Sequence, residues 1–189
     1  MKKIVFTGGP SGGKTSIIEI LQRDLGKRVA TVPEAATILY EGGFPRLATP
    51  GGKRCVQRAV YYVQGELESL FQQSHRVMAL LCDRGALDGP AYWPEGKPGF
   101  LSAVGTSFRK EAARYDVVFH LRTPRKTGYK QGGTRIEAQA EALRLDRRIE
   151  AAWSGHSHRY VIEDTDDFLL KVRRVRSILE RELPQLFKR

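Results

Sequence analysis

Residues 8–15 read GGPSGGKT, which fits the pattern G-x-x-x-x-G-K-[ST] of a phosphate-binding loop. The apolar residues 4–6 precede the loop and have the composition of a buried strand, and residues 16–25 repeat their apolar side chains at helical spacing. In the order strand, loop and helix, backbone N–H groups and the helix N-terminus converge on phosphate oxygens. The motif therefore predicts a nucleoside triphosphate site.

The residues of this loop have separate expected roles. Lys14 is expected to reach the β- and γ-phosphates, and the Thr15 hydroxyl is expected to bind Mg²⁺. Both ATP and GTP stay open as the nucleotide. A glycine-rich turn without a ligand is the alternative, but the flanking strand and helix argue against it. The predicted nucleotide site comprises Gly8, Gly9, Pro10, Ser11, Gly12, Gly13, Lys14, Thr15 and Ser16.

The composition favours anionic partners. The chain of 189 residues carries 32 Lys and Arg against 21 Asp and Glu, a formal net charge of +11 at pH 7. Nucleotides, phosphorylated substrates, nucleic acids and acidic lipids all fit this charge, but the basic residues are spread along the chain and an ordinary solvated basic surface explains them equally well.

Length and cysteine content indicate the general class. The length suits one domain, residues 1–189, that buries a substantial core. Cys55 and Cys82 are too few for a disulfide framework, and no apolar run approaches the roughly 18 residues needed to span a bilayer. These observations predict a cytoplasmic protein without a membrane span.

Strand-like and helix-like segments alternate along the rest of the chain. The predicted strands after the first are residues 28–32, 77–82, 116–121 and 160–162. Helical patterns cover residues 35–40, 53–76, 106–114 and 134–153, and a last helix begins near residues 164–167. Residues 44–52 and most of 86–105 are rich in Pro and Gly and are predicted to be loops, with a helical turn at residues 86–92. The alternation predicts an α/β fold whose parallel sheet has helices on both faces.

Three charged residues follow the second and third predicted strands, at the sheet edge where open α/β sheets bind ligands. Asp83 ends an apolar strand and is predicted to hold Mg²⁺; a helix N-cap is its alternative. Arg84 is predicted to clamp a phosphate, or to pair with a structural carboxylate. Glu34 is predicted to activate an acceptor hydroxyl, or to be an ordinary surface carboxylate.

A basic segment follows the fourth predicted strand. It contains Arg122, Arg125, Lys126, Lys130 and Arg135, and residues 122–135 are predicted to form a lid over the triphosphate. Arg135 opens the next helix and is the best candidate for an arginine that stabilises the transition state. A solvated, flexible loop is the alternative.

The motifs together resemble one known family. They are residues 8–15, 32–35, 57–68, 83–85, 87–89, 92–94 and Arg135 with Glu137, which span nearly the whole chain. The chain resembles the P-loop AAA-domain family that contains the ribosylnicotinamide-kinase domain of NadR and the TRPL-translocation-defect protein. More distantly, it is similar to deoxynucleoside and thymidylate kinases.

The resemblance implies a fold and further site residues. The implied fold is a three-layer P-loop NTPase with a five-stranded parallel sheet in the order 2-3-1-4-5 and a mobile lid. The matching Glu34 serves as base toward a substrate hydroxyl, and the matching Arg84 holds phosphate or that base. The implied acceptor pocket includes Gln57, Gln64, Asp88 and Tyr92, and residues 166–168 lie near the nucleobase.

Two functions from different classes remain at this point. The first is a kinase that uses ATP or GTP with Mg²⁺ to phosphorylate a hydroxyl of a nucleoside-like small molecule. In it, Lys14, Glu34, Arg84 and Arg135 are catalytic, and Thr15 and Asp83 hold the metal ion. The alternative is a nucleotide-dependent switch that engages acidic phospholipid or a protein partner. Nucleic acid is disfavoured, because no stacking-aromatic motif lies in a basic setting.

Overall fold

The computed structural model describes residues 1–74, 76–124 and 139–188. Its five strands form one parallel sheet in the order β2-β3-β1-β4-β5. The strands are β1 (Lys2–Thr7), β2 (Val29–Val32), β3 (Ala79–Asp83), β4 (Val117–Leu121) and β5 (Arg159–Ile162). This sheet confirms the predicted fold class and strand order.

Eight α-helices are assigned within the described residues. They are α1 (Lys14–Leu25), α2 (Ala35–Glu41), α3 (Pro50–Ser74), α4 (Gly89–Tyr92), α5 (Gly96–Ala103), α6 (Phe108–Ala112), α7 (Gln139–Ala152) and α8 (Phe168–Glu182). Short 3₁₀ turns occupy Gly26–Arg28, Ala86–Asp88 and Pro184–Leu186. The helix predicted over residues 134–153 is confirmed from Gln139 onward, and residues 134–138 lie outside the described part of the chain.

The sheet separates two hydrophobic layers, because successive side chains of a strand point to opposite faces. Ile4 and Phe6 of β1 pack with α1 and α8 in one layer. Val5 packs in the other layer, which includes the completely buried Trp153. Strands with both faces covered are apolar along their whole length, as β3 and β4 are.

Two loop predictions were wrong. Residues 86–105 contain α5, which was not predicted, whereas α4 lies within the predicted helical turn of residues 86–92. Residues 44–52 end in α3, which begins at Pro50. In each case a proline lies in the first turn of the helix, where its missing N–H has no intrahelical partner to lose. These prolines start helices, and the sequence analysis took them as signs of loop.

The two cysteines differ in environment. Cys55 lies exposed on α3, and Cys82 lies buried in β3. Burial raises the pKa of the Cys82 thiol well above its ordinary value. Among the helices of the described residues, none is both long and apolar enough to cross a membrane.

The carboxyl ends of the central strands place the candidate site. β1, β2 and β3 end at Thr7, Val32 and Asp83, and they are neighbours in the sheet. The segments that follow them therefore meet at one edge: the glycine-rich loop, residues 33–34, and residues 84–85. Such an edge is where parallel α/β sheets bind their ligands.

Candidate active site

The glycine-rich loop packs tightly against the end of β4. Gly8 has a φ of 122°, and a Cβ atom built there would lie 2.1 Å from the carbonyl oxygen of Leu121. Gly13 precedes α1 with a φ of 87°. Both conformations strongly favour glycine, and the first also requires the absence of a side chain. Two residues after the end of β4, the Thr123 hydroxyl donates to the carbonyl of Pro10 over 3.0 Å.

Lys14 lies over this loop. Its side chain is buried, and Nζ donates to the carbonyl oxygens of Gly9 at 2.6 Å and Gly8 at 3.2 Å. Thr15 and Ser16 follow in the first turn of α1 and are exposed. The ammonium group and the first turn of α1 therefore share the surface that the motif predicts for the triphosphate.

Thr15 and Asp83, the two predicted ligands of Mg²⁺, are in contact. The Thr15 hydroxyl donates to Asp83 Oδ2 over 2.9 Å, whereas the buried Oδ1 has no hydrogen-bond partner among the described residues. Burial raises the pKa of Asp83, although Lys14 and Arg84 act in the opposite direction. A cation beside Oδ1 would satisfy this oxygen, and a hydroxyl and one carboxylate are hard oxygen donors of the kind that Mg²⁺ takes together with phosphate and water. The residues present therefore fit Mg²⁺.

No larger acidic cluster competes for a metal ion in the part of the chain that the structure describes, where no group of three or more His, Cys, Asp or Glu side chains has metal-binding geometry. Mg²⁺ bound with a nucleotide needs few protein ligands, because phosphate oxygens and water complete its shell. Thr15 and Asp83 are thus the candidate metal ligands.

Arg84 connects the glycine-rich loop with Glu34. Its Nε donates to Glu34 Oε1 over 2.6 Å, and its Nη1 donates to the carbonyl of Gly8 and to Asp88 Oδ2, both over 3.0 Å. Glu34 Oε2 accepts a hydrogen bond from the Thr37 hydroxyl over 2.6 Å. Burial disfavours the Arg84 cation, but these carboxylates and Tyr92 raise its pKa well above the ordinary value. Arg84 is therefore a fixed cation, and the Glu34 carboxylate has a fixed orientation.

The backbone of Arg84 adopts the left-handed region, with a φ of 76°. This conformation is unfavourable for a residue with a side chain and persists where neighbouring groups hold it. Gln64 Nε2 donates to the Arg84 carbonyl over 3.4 Å and to Glu68 Oε1 over 3.1 Å. The Tyr115 hydroxyl donates to the same Glu68 oxygen and accepts from the Ala86 N–H, both over 2.8 Å. These buried side chains hold the turn on both sides of Gly85.

A cavity of about 820 Å³ opens beside Glu34. Helices α2, α3, α4 and α7 form its walls, and all four predicted substrate residues line it: Gln57, Gln64, Asp88 and Tyr92. Its volume lies in the range of small-molecule sites. The structure thus brings the predicted base and the predicted substrate residues to one cavity.

Asp88 is bound on every side by protein groups. Its Oδ1 accepts hydrogen bonds from the Thr7 hydroxyl and from Trp153 Nε1, both over 2.6 Å, and its Oδ2 accepts from Arg84. The carboxylate therefore anchors Arg84 to the sheet and to α7. The arrangement favours a positioning role for Asp88 over direct contact with a substrate.

Sequence analysis missed one residue of the site, Asp146 of α7. Its buried carboxylate accepts the backbone N–H of Gly9 over 2.8 Å, and His120 Nε2 lies 3.1 Å from the same oxygen, Oδ1. Arg122 donates to Oδ2 over 3.3 Å. Asp146 thereby attaches α7 to the glycine-rich loop. An acid in register with buried Ala142 and Ile149 was the sequence signal that pointed to it.

The predicted lid is described only at its base. Arg122 pairs with Glu150 through two hydrogen bonds of 2.6 and 2.8 Å, so it is attached to α7. Arg125, Lys126, Lys130 and Arg135 lie outside the described residues. The lid and the role of Arg135 therefore stay predictions.

Fold and site together define a P-loop nucleotide-binding protein, a class that comprises phosphotransferases and nucleoside triphosphatases. A family model described as "AAA domain" matches residues 3–168. The chain belongs to this family. No curated protein matches the sequence.

Solved nucleoside and nucleotide kinases are similar in structure. Deoxyadenosine kinase from M. mycoides with bound dATP has a TM-score of 0.65 and 15% identity, over 95% of this chain and 100% of that chain. Thymidylate kinase from Candida albicans has a TM-score of 0.66 and 12% identity, over 99% and 93% of the two chains. NadR in complex with NR has a TM-score of 0.72 and 20% identity; the match covers 97% of this chain and 52% of NadR, so the chain spans about half of that protein. These similarities show a nucleoside-kinase-like fold.

Proposed function

We propose that this protein is a Mg²⁺-dependent kinase that transfers the γ-phosphoryl group of ATP or GTP to a hydroxyl group of a nucleoside-like small molecule. One observation carries the proposal. The ion pair of Glu34 and Arg84 lies between the glycine-rich loop and the cavity, since Arg84 contacts Gly8 and both side chains line the cavity. A carboxylate in this place can accept the proton of an acceptor hydroxyl, a step that a protein which only binds a nucleotide does not require.

The acceptor class is supported by the structural neighbours. Two of them are named for deoxyadenosine and thymidylate, and NadR was solved in complex with NR. The cavity combines apolar walls with the amides of Gln57 and Gln64, a mixture that suits a heterocyclic compound with polar groups. We therefore assign the acceptor to nucleosides and related compounds.

The proposed transfer is a single displacement. The acceptor oxygen forms a bond to the γ-phosphorus while its proton passes to a carboxylate oxygen of Glu34. The bond between the γ-phosphorus and the β–γ bridging oxygen breaks, and the nucleoside diphosphate leaves with that electron pair. Lys14 and Arg84 stabilise negative charge on the transferred group, and Arg135 is proposed to add a further positive charge. Bound Mg²⁺ neutralises charge on the β- and γ-phosphates.

The experiment that tests the proposal uses labelled ATP and GTP with Mg²⁺ against a panel of nucleosides and vitamin precursors. A labelled small-molecule product supports the kinase. Free phosphate alone across the panel favours instead the nucleotide-dependent switch, whose partner is an acidic lipid or a protein.

Glu34→Gln tests the base within the same assay. We expect kcat to fall by about 10²- to 10⁴-fold, because no group accepts the hydroxyl proton, while the Kd for nucleotide changes by less than about twofold. Glu41→Gln, at the exposed end of the same helix α2, is the control and should keep full activity. An equal loss of nucleotide binding and transfer would contradict the assignment of Glu34 as base.

A further inference from the structure

The mouth of the cavity, defined as its exposed lining residues, is strongly basic. Four of these residues are cationic, and Glu141 is the only acid among the described ones. The mouth consists of Arg46, Leu47, Ala48, Lys53, Glu141, Arg144 and Arg148. A concave surface lined by one sign of charge attracts ligands of the opposite sign.

The interior of the cavity does not share this excess. Its single cation, Arg84, is paired with both of its carboxylates, Glu34 and Asp88. The charges therefore compensate each other near Glu34, whereas positive charge is in excess at the mouth. An anionic group of the acceptor is therefore favoured at the mouth and not beside Glu34.

The side chains of two mouth cations have no partner among the described residues. Across residues 1–74, 76–124 and 139–188, neither the Lys53 ammonium nor the Arg144 guanidinium has a hydrogen bond or an ion pair. The other two are held at the rim: the guanidinium of Arg46 lies 3.8 Å from the ring centroid of Tyr40, and Arg148 Nη2 donates to the Trp93 carbonyl over 3.1 Å. Cations that line one cavity without partners repel each other and are stabilised by an anion between them.

The mouth and the predicted base lie close enough to serve one ligand. Tyr40 lines the cavity between them. Burial raises the pKa of Tyr40, while the charge of Arg46 lowers it and the charge of Glu34 raises it, so Tyr40 is close to both side chains. On α7, Arg144 and Arg148 are one helical turn apart and so share a face of the helix. A molecule that fills about 820 Å³ reaches from Glu34 to this rim.

We propose that the acceptor is a phosphomonoester, which presents a hydroxyl group to Glu34 and an existing phosphate group to the cationic mouth. Arginine and lysine side chains from α3, from α7 and from the segment before α3 suit a dianionic phosphate better than a single carboxylate, because arginine binds phosphate through two parallel hydrogen bonds. The inference rests on the proposed kinase activity for its substrate role, but the binding of the phosphate group itself needs no transfer.

The test compares matched pairs of compounds that differ by one phosphate group. The pairs are adenosine and AMP, thymidine and TMP, ribose and ribose 5-phosphate, and monoacylglycerol and lysophosphatidate below its micellar concentration. Calorimetric titration in the presence of a non-hydrolysable ATP analogue and Mg²⁺ gives the Kd of each compound. We expect at least one phosphorylated member to bind about tenfold or more tightly than its neutral partner.

Single substitutions then locate the phosphate group. Lys53→Gln and Arg144→Gln should each raise the Kd of the phosphorylated member by about tenfold. The Kd values of its neutral partner and of the nucleotide should change by less than about twofold. Arg147→Gln is the matched control, because Arg147 is exposed on α7 but does not line the cavity. A preference for lysophosphatidate over the soluble phosphates would identify a lipid headgroup as the source.

The failure of this inference differs from the failure of the proposed function. If phosphorylated members bind tightly but no compound is phosphorylated, the phosphate subsite at the cavity mouth is supported and the kinase proposal fails. If neutral nucleosides are phosphorylated and no phosphorylated member binds better than its partner, the kinase stands and the subsite is overturned. Equal loss of affinity for both members of a pair in the two variants also overturns the subsite.

Discussion

Arg84, which we propose to act in catalysis, has a strained backbone conformation. Its positive φ turns the chain sharply after β3, and this turn directs the guanidinium toward Glu34 and Gly8. A residue in the left-handed region costs about 1 to 2 kcal/mol relative to ordinary helical or extended backbone. The hydrogen bond from Gln64 to the Arg84 carbonyl and the hydrogen bond from the Ala86 N–H to the Tyr115 hydroxyl offset this cost, since they satisfy the buried polar groups on both sides of the turn.

Tyr115→Phe tests whether this support matters for catalysis. The change leaves the buried N–H of Ala86 without an acceptor, and we expect the free energy of unfolding to fall by about 1–3 kcal/mol. Because the Arg84 turn then relaxes, kcat should fall roughly tenfold or more at a temperature where the variant is fully folded, with little change in the KM for nucleotide.

The control for this substitution is Tyr62→Phe, on the exposed side of α3. It removes a hydroxyl group without touching the Arg84 turn and should change neither stability nor kcat. A Tyr115→Phe variant that is less stable but keeps the wild-type kcat would show that the hydroxyl serves stability alone.

For single residues, the sequence identified the members of the candidate site better than it identified the groups that they contact. The pattern around Lys14 and Thr15 depends on local order along the chain, so spacing alone revealed it. The engagement of Asp88 by Thr7 and Trp153 depends on contacts between residues more than 60 positions apart, which no local pattern encodes. The same holds for Gln64, which the resemblance assigned to the pocket and which also holds the carbonyl of Arg84.

Helix α7 connects the base of the predicted lid to the glycine-rich loop. Asp146 binds the Gly9 N–H, and Glu150, one turn later, binds Arg122. Burial opposes ionisation of Asp146, but hydrogen bonds from His120 and from the Gly9 N–H lower its pKa below the ordinary value of 3.8. A shift of α7 would therefore displace the loop that is predicted to bind the triphosphate.

This depressed pKa predicts a pH dependence of stability. A carboxyl group whose pKa is lower in the folded state stabilises the fold fully above its unfolded pKa, and this contribution is lost as the pH falls toward the folded pKa. The difference in unfolding free energy between wild type and Asp146→Asn should thus be largest above about pH 5 and shrink as the pH falls below about 4.

Chemical denaturation at a series of pH values measures this difference. Asp166→Asn, an exposed acid in the turn before α8, is the control and should show a small difference at every pH. A difference in unfolding free energy between wild type and Asp146→Asn that stays constant from pH 6 to pH 3 would show that the charge of Asp146 does not stabilise the fold.

Among the elements, the strands were the easier part of the fold to predict. Residues 77–82 form an apolar run because both faces of β3 are covered, and such runs are read directly. Helix α4 was predicted only as a turn within a loop, and α5 was missed, because their prolines and glycines look like loop residues until the first-turn position of Pro90 and Pro98 is known. That position depends on where each helix begins. The start of a helix depends in turn on packing around the buried Trp93 and Phe100, which the local pattern of Pro and Gly does not show.

At the scale of the whole molecule, nucleotide binding and folding are linked through the sheet edge. The loop after β1, the end of β3 and the helix α1 all contribute to the predicted site, so a ligand bound there stabilises the folded chain as a unit. For one site, a nucleotide at 100 times its Kd raises the unfolding free energy by about 2.7 kcal/mol.

Removal of Mg²⁺ should reduce this stabilisation in wild type. We expect the rise in Tm with ATP to be clearly larger with Mg²⁺ than with EDTA, because Thr15 and Asp83 are predicted to hold the ion. In Asp83→Asn the rise should be small and equal under both conditions, whereas the control Glu19→Gln, exposed on α1, should behave as wild type. A full Mg²⁺ effect in Asp83→Asn would remove Asp83 from the metal site.

The burial of Cys82 in β3 has a practical consequence for all of these measurements. With that thiol inaccessible and its pKa raised, Cys55 is the one cysteine of the sequence open to alkylating reagents. Cys55 lies on α3 two residues from the cavity-lining Lys53 and Gln57, on nearly the opposite side of the helix, and does not line the cavity itself. A label attached there, without any mutation, would mark the protein and leave the lining of the cavity unmodified.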